Sequence, residues 1–246
     1  MDTASTISFD QVPVLLRGES VPIAAWVERW STRRVLLYVS VIFMGAGLYG
    51  ASMGWWRDPR QALYVAIKFP LIILLTTLGN ALLNGMLAPL LGLNLRFTQS
   101  LQAILMSFTI ASAILGAFSP LIGFLVWNVQ PMRPGAQIPV QTYLSIQLTH
   151  VTAIAFAGVA ANLRLMQLLN RLSSNASAAR RVLFSWLAGN LFLGSQLVWI
   201  LRPFIGSPFL EVQFLRPNAF QGNFYESVYY SIRHLIAIGG AALLPP

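Results

Sequence analysis

The chain has 246 residues, of which 56% are hydrophobic and 9% are charged, and its formal net charge is +9. This composition, with a mean hydropathy of +0.66, excludes an ordinary soluble domain, and the absence of cysteine excludes disulfides and thiolate metal sites. The basic residues occur as singles and pairs beside apolar runs, which is typical of contacts with anionic headgroups, so we predict a lipid bilayer as the surroundings and no nucleic acid as a partner.

The class of fold follows from five runs that contain no Asp, Glu, Lys or Arg. They are residues 35–56, 69–95, 97–132, 134–163 and 182–201. Each run reaches the roughly 20 residues that a helix needs to cross the hydrocarbon core. Backbone groups in lipid must be satisfied within a segment, and the runs lack the alternation of a membrane barrel. The sequence predicts an all-α, polytopic integral membrane helix bundle with five transmembrane helices, interfacial helices and a possible sixth span.

We divide the chain into three parts: residues 1–34, an N-terminal arm with an interfacial amphipathic helix; residues 35–201, the five-span membrane domain; and residues 202–246, a rigid extramembrane segment with a C-terminal helix. We expect residues 1–20 to extend from the membrane as a short arm. Ile23, Trp26, Val27 and Trp30 share one helical face, which predicts a helix lying flat in the headgroup layer.

Small residues mark the first span. Ala46, Gly50 and Gly54 repeat every fourth residue, and such a seam lets another helix approach closely. We therefore assign these three positions to helix packing. The alternative explanation is that glycine is frequent in membrane helices generally.

Prolines and caps set the next boundaries. Asp58 followed by Pro59 is a good helix start, because the carboxylate caps free amides and the proline ring fixes a helical backbone angle. A straight helix from there is too long for the bilayer, so we expect an interfacial piece and a bend near Pro70, with Lys68 near the interface. The third span should kink or end at Pro120. Residues 173–179 are predicted to form a loop of small residues.

Basic and aromatic residues predict the orientation. The side of the membrane that carries the N-terminus has a slight excess of basic residues, which include the pairs Arg33-Arg34 and Arg180-Arg181. This excess predicts a cytoplasmic N-terminus. Tryptophans mark the two interfaces as aromatic belts do. Trp26, Trp30 and Trp186 fall near one interface, and Trp55, Trp56, Trp127 and Trp199 fall near the other.

The polar side chains inside the spans are amides and hydroxyls. No span contains an interior carboxylate, which argues against an ion-coupled pump, and the motifs of phosphate loops, serine nucleophiles and zinc helices are missing, so we predict no enzyme. The amides include Asn80, Asn84, Gln147 and Asn190. They either join helices by hydrogen bonds or line a passive path for a small solute or lipid.

Two histidines give a cofactor hypothesis. His150 and His234 lie at similar distances from the starts of two helices that begin on the same predicted face. Two imidazoles on facing helices are the minimum geometry for axial ligation of a haem or pigment. The alternative is that each histidine satisfies a local hydrogen bond.

The segment after the fifth span, residues 202–226, is named the platform here. Its prolines and glycines predict a stiff, non-helical backbone, and Asn223 with Glu226 forms a capping box that starts a last helix at Phe224. That helix is either a sixth span or half inserted. Aromatic and arginine side chains on a rigid support are typical of binding surfaces. The candidate partner-binding residues are Arg202, Phe204, Phe209, Glu211, Phe214, Arg216 and Phe220. Alternatively, the platform folds back over the helix ends, and Glu211 pairs with Arg202 or Arg216.

The C-terminal part also carries a resemblance. Its motifs are Gly194-Ser195-Gln196, Trp199, Leu201-Arg202-Pro203-Phe204, Gly206, Pro208, Phe214, Arg216, Gly222-Asn223 and Tyr225-Glu226. Together they resemble the C-terminal signature of a family of uncharacterised bacterial multi-pass membrane proteins. The layout of about five helices around a short turn at residues 92–96 is similar to Yip-type membrane proteins, whose eukaryotic members work in membrane traffic through partners. The resemblance implies a partner or scaffold rather than a catalyst.

These observations predict a non-catalytic accessory, scaffold or assembly subunit of a bacterial inner-membrane protein complex. Other membrane protein subunits are the expected partners. The first alternative is a passive channel or carrier for a small solute or lipid. The second is a membrane subunit that binds haem or a pigment.

Overall fold

The computed structural model describes residues 11–17, 23, 25–27, 29–92, 96–130, 132, 140–172, 175–206, 211–226 and 229. Its helices are α1, Gln11–Arg17; α2, Thr32–Trp55; α3, Pro59–Leu90; α4, Phe97–Trp127; α5, Val140–Leu172; and α6, Ala176–Leu201. The five helices from α2 to α6 are each long and apolar enough to cross a membrane. This confirms the predicted all-α, multi-pass class.

Helices α2, α3 and α4 form the centre of the bundle. Helix α2 packs along both α3 and α4, while α5 packs on α4 and α6 packs on α3. The ends of α2, α4 and α6 and the starts of α3 and α5 meet at one end of the bundle, which we call the platform end. Trp56 fixes this end, because its indole donates to the Gln130 carbonyl at 2.9 Å and its own carbonyl accepts from the Met132 amide at 3.1 Å.

Close backbone crossings hold α2 in place. The predicted seam lies against α3: an added Cβ at Gly50 would lie 2.6 Å from the Val65 carbonyl oxygen, and one at Gly54 would lie 2.6 Å from that of Gln61. A second crossing joins Gly45 of α2 to Gly116 of α4, where an added Cβ at Gly116 would lie 2.8 Å from the Gly45 Cα. Side chains cannot occupy these positions without separating the helices.

The prolines do not end their helices. Helix α3 is continuous through Pro70 and α4 is continuous through Pro120, so the third span does not end at that proline. The interfacial piece and the bend near Pro70 stay predictions about the path of one continuous helix. A proline removes one backbone hydrogen bond, but in lipid no water competes for the others, so the helix continues. With 32 residues, α3 is about 48 Å long and exceeds the roughly 30 Å hydrocarbon core.

The N-terminal region packs against the bundle. Leu15 of α1, Ile23 and Val27 are buried in the same core as the long helices, and the Arg34 guanidinium donates to the Trp26 carbonyl at 2.8 Å. The expected extended arm is therefore wrong for residues 11–17. Ile23 and Val27 of the face that the sequence assigned to headgroups lie on protein, while Trp30 of the same face is exposed. Periodicity reveals an apolar face but not what covers it.

The loop before α6 is shorter than predicted. Helix α6 begins at Ala176, and the Asn175 side chain caps it by accepting from the Ser177 amide at 2.8 Å. The small residues at 176–179 therefore form the first helical turn. Alanine and serine leave the choice between loop and helix to the cap, and the asparagine decides it here.

Candidate functional site

One face of α3 buries a stripe of polar side chains. They are Gln61, Lys68, Thr76, Thr77, Asn80 and Asn84. Most of them recur at intervals close to whole helical turns, which places them in line along the helix. The first part of the stripe meets the platform, and the second part meets α6.

Lys68 is enclosed by the platform. Its side chain is 0% exposed, and its ammonium contacts the carbonyl oxygens of Pro203 and Gln213, each at 3.4 Å. The faces of two rings complete the enclosure, with the Phe214 centroid 5.1 Å and the Phe204 centroid 6.0 Å from Nζ. Carbonyl oxygens and ring faces are both negative, so together they solvate a cation that has left water.

Neighbouring residues of α3 hold the same part of the platform. The Gln61 amide donates to the carbonyls of Pro203 at 2.8 Å and Phe204 at 2.9 Å. The Tyr64 and Phe214 rings meet edge to face, 5.5 Å apart. The platform therefore contacts the first third of α3 through the hydrogen bonds of Gln61, the ammonium of Lys68 and the aromatic pair of Tyr64 and Phe214.

Glycine is required at a bend in the first half of the platform. Gly206 has φ of +92°, a left-handed conformation that residues with a Cβ rarely adopt. An added Cβ would also lie 2.8 Å from Cγ of Arg57. Both the backbone angle and the close approach therefore require glycine at this turn.

The second half of the platform runs back along α6. The Trp199 indole donates to the Gln221 carbonyl at 3.3 Å, and the hydroxyls of Ser195 and Tyr225 lie 2.9 Å apart. The Tyr225 ring stacks on Phe192 with centroids 5.8 Å apart. These contacts tie both ends of the platform to the membrane helices.

One half of the predicted capping box is present, the bond from the Glu226 amide to the Asn223 side chain, while the Glu226 carboxylate accepts from the Asn223 side-chain amide instead of its backbone amide. The Glu226 amide donates to the Asn223 side chain at 2.8 Å, and residues 224–226 are helical. The last helix is predicted to be either a sixth span or half inserted. The residues that would distinguish these two predictions lie outside the described part of the chain.

The predicted partner-binding residues differ in exposure. Phe204, Arg202 and Arg216 are half-buried, and the Phe204 ring lies over Lys68. Glu211 and Phe220 are exposed, and Phe214 is 36% exposed. Phe209 lies outside the described residues. Phe204 is thus less accessible than the surface role predicted for it requires, because its ring faces the buried ammonium.

The predicted ion pair of Glu211 is also replaced. Glu211 accepts from the side-chain amide of Gln213 at 3.4 Å. The Arg202 guanidinium instead stacks on Trp199, 3.6 Å from the ring centroid, and donates to the Trp199 carbonyl. The platform therefore folds back over the helix ends, as the alternative predicted. The pairing of Glu211 with Arg202 or Arg216 that this alternative included is wrong.

The second part of the stripe forms a hydrogen-bonded cluster between α3 and α6. The Asn80 amide donates to the Trp186 carbonyl at 3.0 Å and to the Asn190 side chain at 2.6 Å. Asn84 donates to Asn80, and its oxygen accepts from Ser185 at 3.3 Å. These amides join helices, as one of the two predicted roles requires. Gln147, which the channel hypothesis placed with them, is exposed on α5.

Gly189 makes room for this cluster, and we expect Gly189→Ala to disrupt it. An added Cβ would overlap the Asn80 side-chain oxygen. We expect a loss of about 1–2 kcal/mol, since interhelical hydrogen bonds in membranes contribute about 0.6–1.7 kcal/mol each. Thermal unfolding in detergent, followed by tryptophan fluorescence, measures the loss.

Gly194→Ala on the same helix is the matched control, because an added Cβ there meets only Thr76 at an ordinary 3.7 Å. In an Asn80→Ala background the cost of Gly189→Ala should largely vanish, because the obstructing side chain is gone. Equal costs in both backgrounds would contradict the assigned cluster.

His150 has a local partner. It is buried on α5, its Nδ1 lies 3.0 Å from the Tyr49 hydroxyl of α2, and the two rings meet edge to face. This is the hydrogen-bonding alternative stated for the histidines. His234, the second residue of the haem or pigment hypothesis, lies outside the described residues.

Sequence reasoning did not single out the site around Lys68. One signal was available, since Lys68 is the only lysine in the chain and follows Gln61 by two helical turns. Its partners are more than 130 positions away in the sequence, so no local pattern identifies them. The chain matches none of the protein-family models, and comparisons with curated proteins and with solved structures also find no match.

Proposed function

We propose that this chain is a non-catalytic scaffold or accessory subunit of a protein complex in the inner membrane of a bacterium, with its N-terminus in the cytoplasm. Its partners are other membrane protein subunits and not nucleic acid. The observation that supports this proposal is the platform, whose backbone is fastened to α3 and α6 while an apolar edge stays uncovered.

The uncovered edge consists of Phe214, Leu215 and Phe220, which are 36%, 42% and 78% exposed. An apolar edge whose backbone is already ordered loses little conformational entropy on binding, which favours recognition. Aromatic side chains carry much of the energy in protein interfaces. Because the platform lies directly on the ends of the spans, the partner that fits it is a membrane protein with an apolar extramembrane loop at the same level.

A site-specific crosslinking experiment tests the proposal. A photoreactive phenylalanine analogue replaces Phe220 in cells, and the same analogue replaces Leu90, which is 82% exposed at the opposite end of the bundle. We expect a single heterologous protein to be crosslinked from position 220. Leu215→Ser should weaken that crosslink about tenfold, because the loss of an apolar anchor at the centre of an interface costs about 1.4 kcal/mol or more.

Two results would contradict the proposal. One is the absence of a protein crosslink from position 220 in intact membranes. The other is crosslinking only to a second copy of the chain, which would indicate a homo-oligomer. The resemblance to bacterial multi-pass proteins and to Yip-type proteins stays a prediction beside this test.

A further inference from the structure

Three cationic side chains lie together at the platform end. They are Lys68, Arg202 and Arg216. The Lys68 ammonium contacts the carbonyl of Pro203, which follows Arg202 in the chain, and the carbonyl of Gln213, three positions before Arg216, so adjoining segments carry the three charges. Burial lowers the pKa of Arg202, and the Arg216 charge lowers it further. Like charges this close destabilise one another unless an anion joins them.

The chain itself has few carboxylates with which to balance this cluster. The seven acidic residues are Asp2, Asp10, Glu19, Glu28, Asp58, Glu211 and Glu226. The first four lie outside the described residues. Among the three that follow, Asp58 caps α3 by accepting from the Arg60 amide at 2.7 Å, Glu211 accepts from Gln213, and Glu226 is bonded to Asn223. Within the described ranges, none of the three pairs with the cluster.

The two arginines differ from Lys68 in access. Lys68 is fully buried behind the platform, whereas Arg202 and Arg216 are half-buried and reach the surface. The Arg202 guanidinium carbon lies 3.6 Å from the Trp199 ring centroid and the group donates to the Trp199 carbonyl, which holds its fork in place. For Arg216, the described part of the chain provides no hydrogen-bond acceptor to the guanidinium. Two accessible guanidinium groups, of which Arg202 is held in place by Trp199, fit the oxygens of a phosphate.

The position of the two arginines indicates which phosphate compound they bind. Arg202 directly follows the last residue of α6, and Trp199 and Tyr64 lie beside the cluster, as aromatic residues do at the membrane–water interface. Phospholipid headgroups occupy this level. We propose that Arg202 and Arg216 bind the phosphate group of an anionic phospholipid, and that Lys68 behind them supplies a fixed positive charge. This goes beyond partner docking and does not depend on it.

Native mass spectrometry of the full chain in a neutral detergent tests the proposal. Phosphatidylglycerol and phosphatidylcholine of equal chain length are added in equal amounts, and the fraction of protein that retains each lipid is measured. We expect the wild type to retain one phosphatidylglycerol in preference to phosphatidylcholine. The double variant Arg202→Gln/Arg216→Gln should retain it at least about tenfold less, since hydrogen bonds to charged groups contribute about 1.5–3 kcal/mol.

The matched control is Arg180→Gln/Arg181→Gln, which removes an exposed arginine pair at the opposite end with the same change in net charge. It should leave the retention unchanged, and equal losses in both double variants would overturn the proposal by showing unspecific attraction. Equal retention of the two lipids by the wild type would also overturn it and would point to a carboxylate of a partner protein as the counter-ion. If inorganic phosphate alone displaces phosphatidylglycerol at equal concentration, the site takes a free anion and the lipid assignment is wrong.

Arg216→Lys distinguishes binding from folding. Lysine keeps the charge but lacks the planar fork, so the variant should fold like the wild type and bind the lipid more weakly than the wild type but more tightly than the double variant. Retention equal to that of the wild type would remove Arg216 from the site.

Discussion

Gly45→Ala is expected to unfold the bundle at a far lower temperature than the wild type. The added Cβ would overlap the Ser112 carbonyl oxygen of α4, and it would lie 2.7 Å from the Ser112 carbonyl carbon. Neither atom is the end of a flexible side chain, so the two backbones must separate. Overpacking of this kind costs about 3 kcal/mol, which corresponds to a fall in Tm of roughly 6–12 °C for a chain of this size.

Gly158→Ala is the control for this prediction. It makes the same chemical change within α5, where an added Cβ meets nothing within 4 Å. Because alanine favours a helix more than glycine does, this variant should unfold at or slightly above the wild-type temperature. The seven tryptophans provide the fluorescence signal for both variants. Equal melting temperatures for the two variants would show that α2 and α4 do not cross at Gly45.

Lys68→Ala is expected to release the platform while the membrane helices stay folded. The substitution removes the ammonium from the carbonyl oxygens of Pro203 and Gln213 and from the two rings, and it leaves a cavity in their place. The combined loss is about 2 kcal/mol, which raises the open fraction of the platform about 30-fold. Hydrogen exchange of residues 211–222 should accelerate accordingly, while exchange within α2 and α4 stays slow.

Chemical rescue makes this second prediction specific to the positive charge. Propylammonium has the shape and charge of the part that Lys68→Ala removes, so it should enter the cavity and slow the exchange again. Propanol, which is similar in size but neutral, should not. Arg60→Ala is the matched control, because Arg60 is an exposed cation in the first turn of the same helix. Exchange at the wild-type rate in Lys68→Ala would mean that the ammonium does not hold the platform.

Much of the fold follows from the sequence because lipid imposes a simple requirement. A charge-free run of sufficient length must be a helix when no water is present to satisfy its backbone, and all five runs obey this rule. The start of α3 was predictable for a local reason, since Asp58 and Pro59 act on adjacent amides. The cap that Asn223 provides for the Glu226 amide is local in the same sense.

The errors concern what lies against each face. The pattern at Ile23 and Val27 revealed an apolar face, but the same face suits headgroups and protein equally well. The seam at Gly50 and Gly54 was visible as a repeat, whereas Gly45 contacts α4 on another face and belongs to no repeat. The enclosure of Lys68 depends on carbonyl oxygens from a segment that follows three further helices, so the sequence offers no local trace of it.

The stripe on α3 has a mechanical consequence. The platform continues directly from α6, it is fastened to α3 near Gln61, and α3 is fastened to α6 again at Asn80. These three links form a closed triangle of which only one side is covalent. A force applied to the platform is therefore shared between α3 and α6. A tilt of these helices would change the contact between Ser185 and Asn84, which lies far along both helices from the platform.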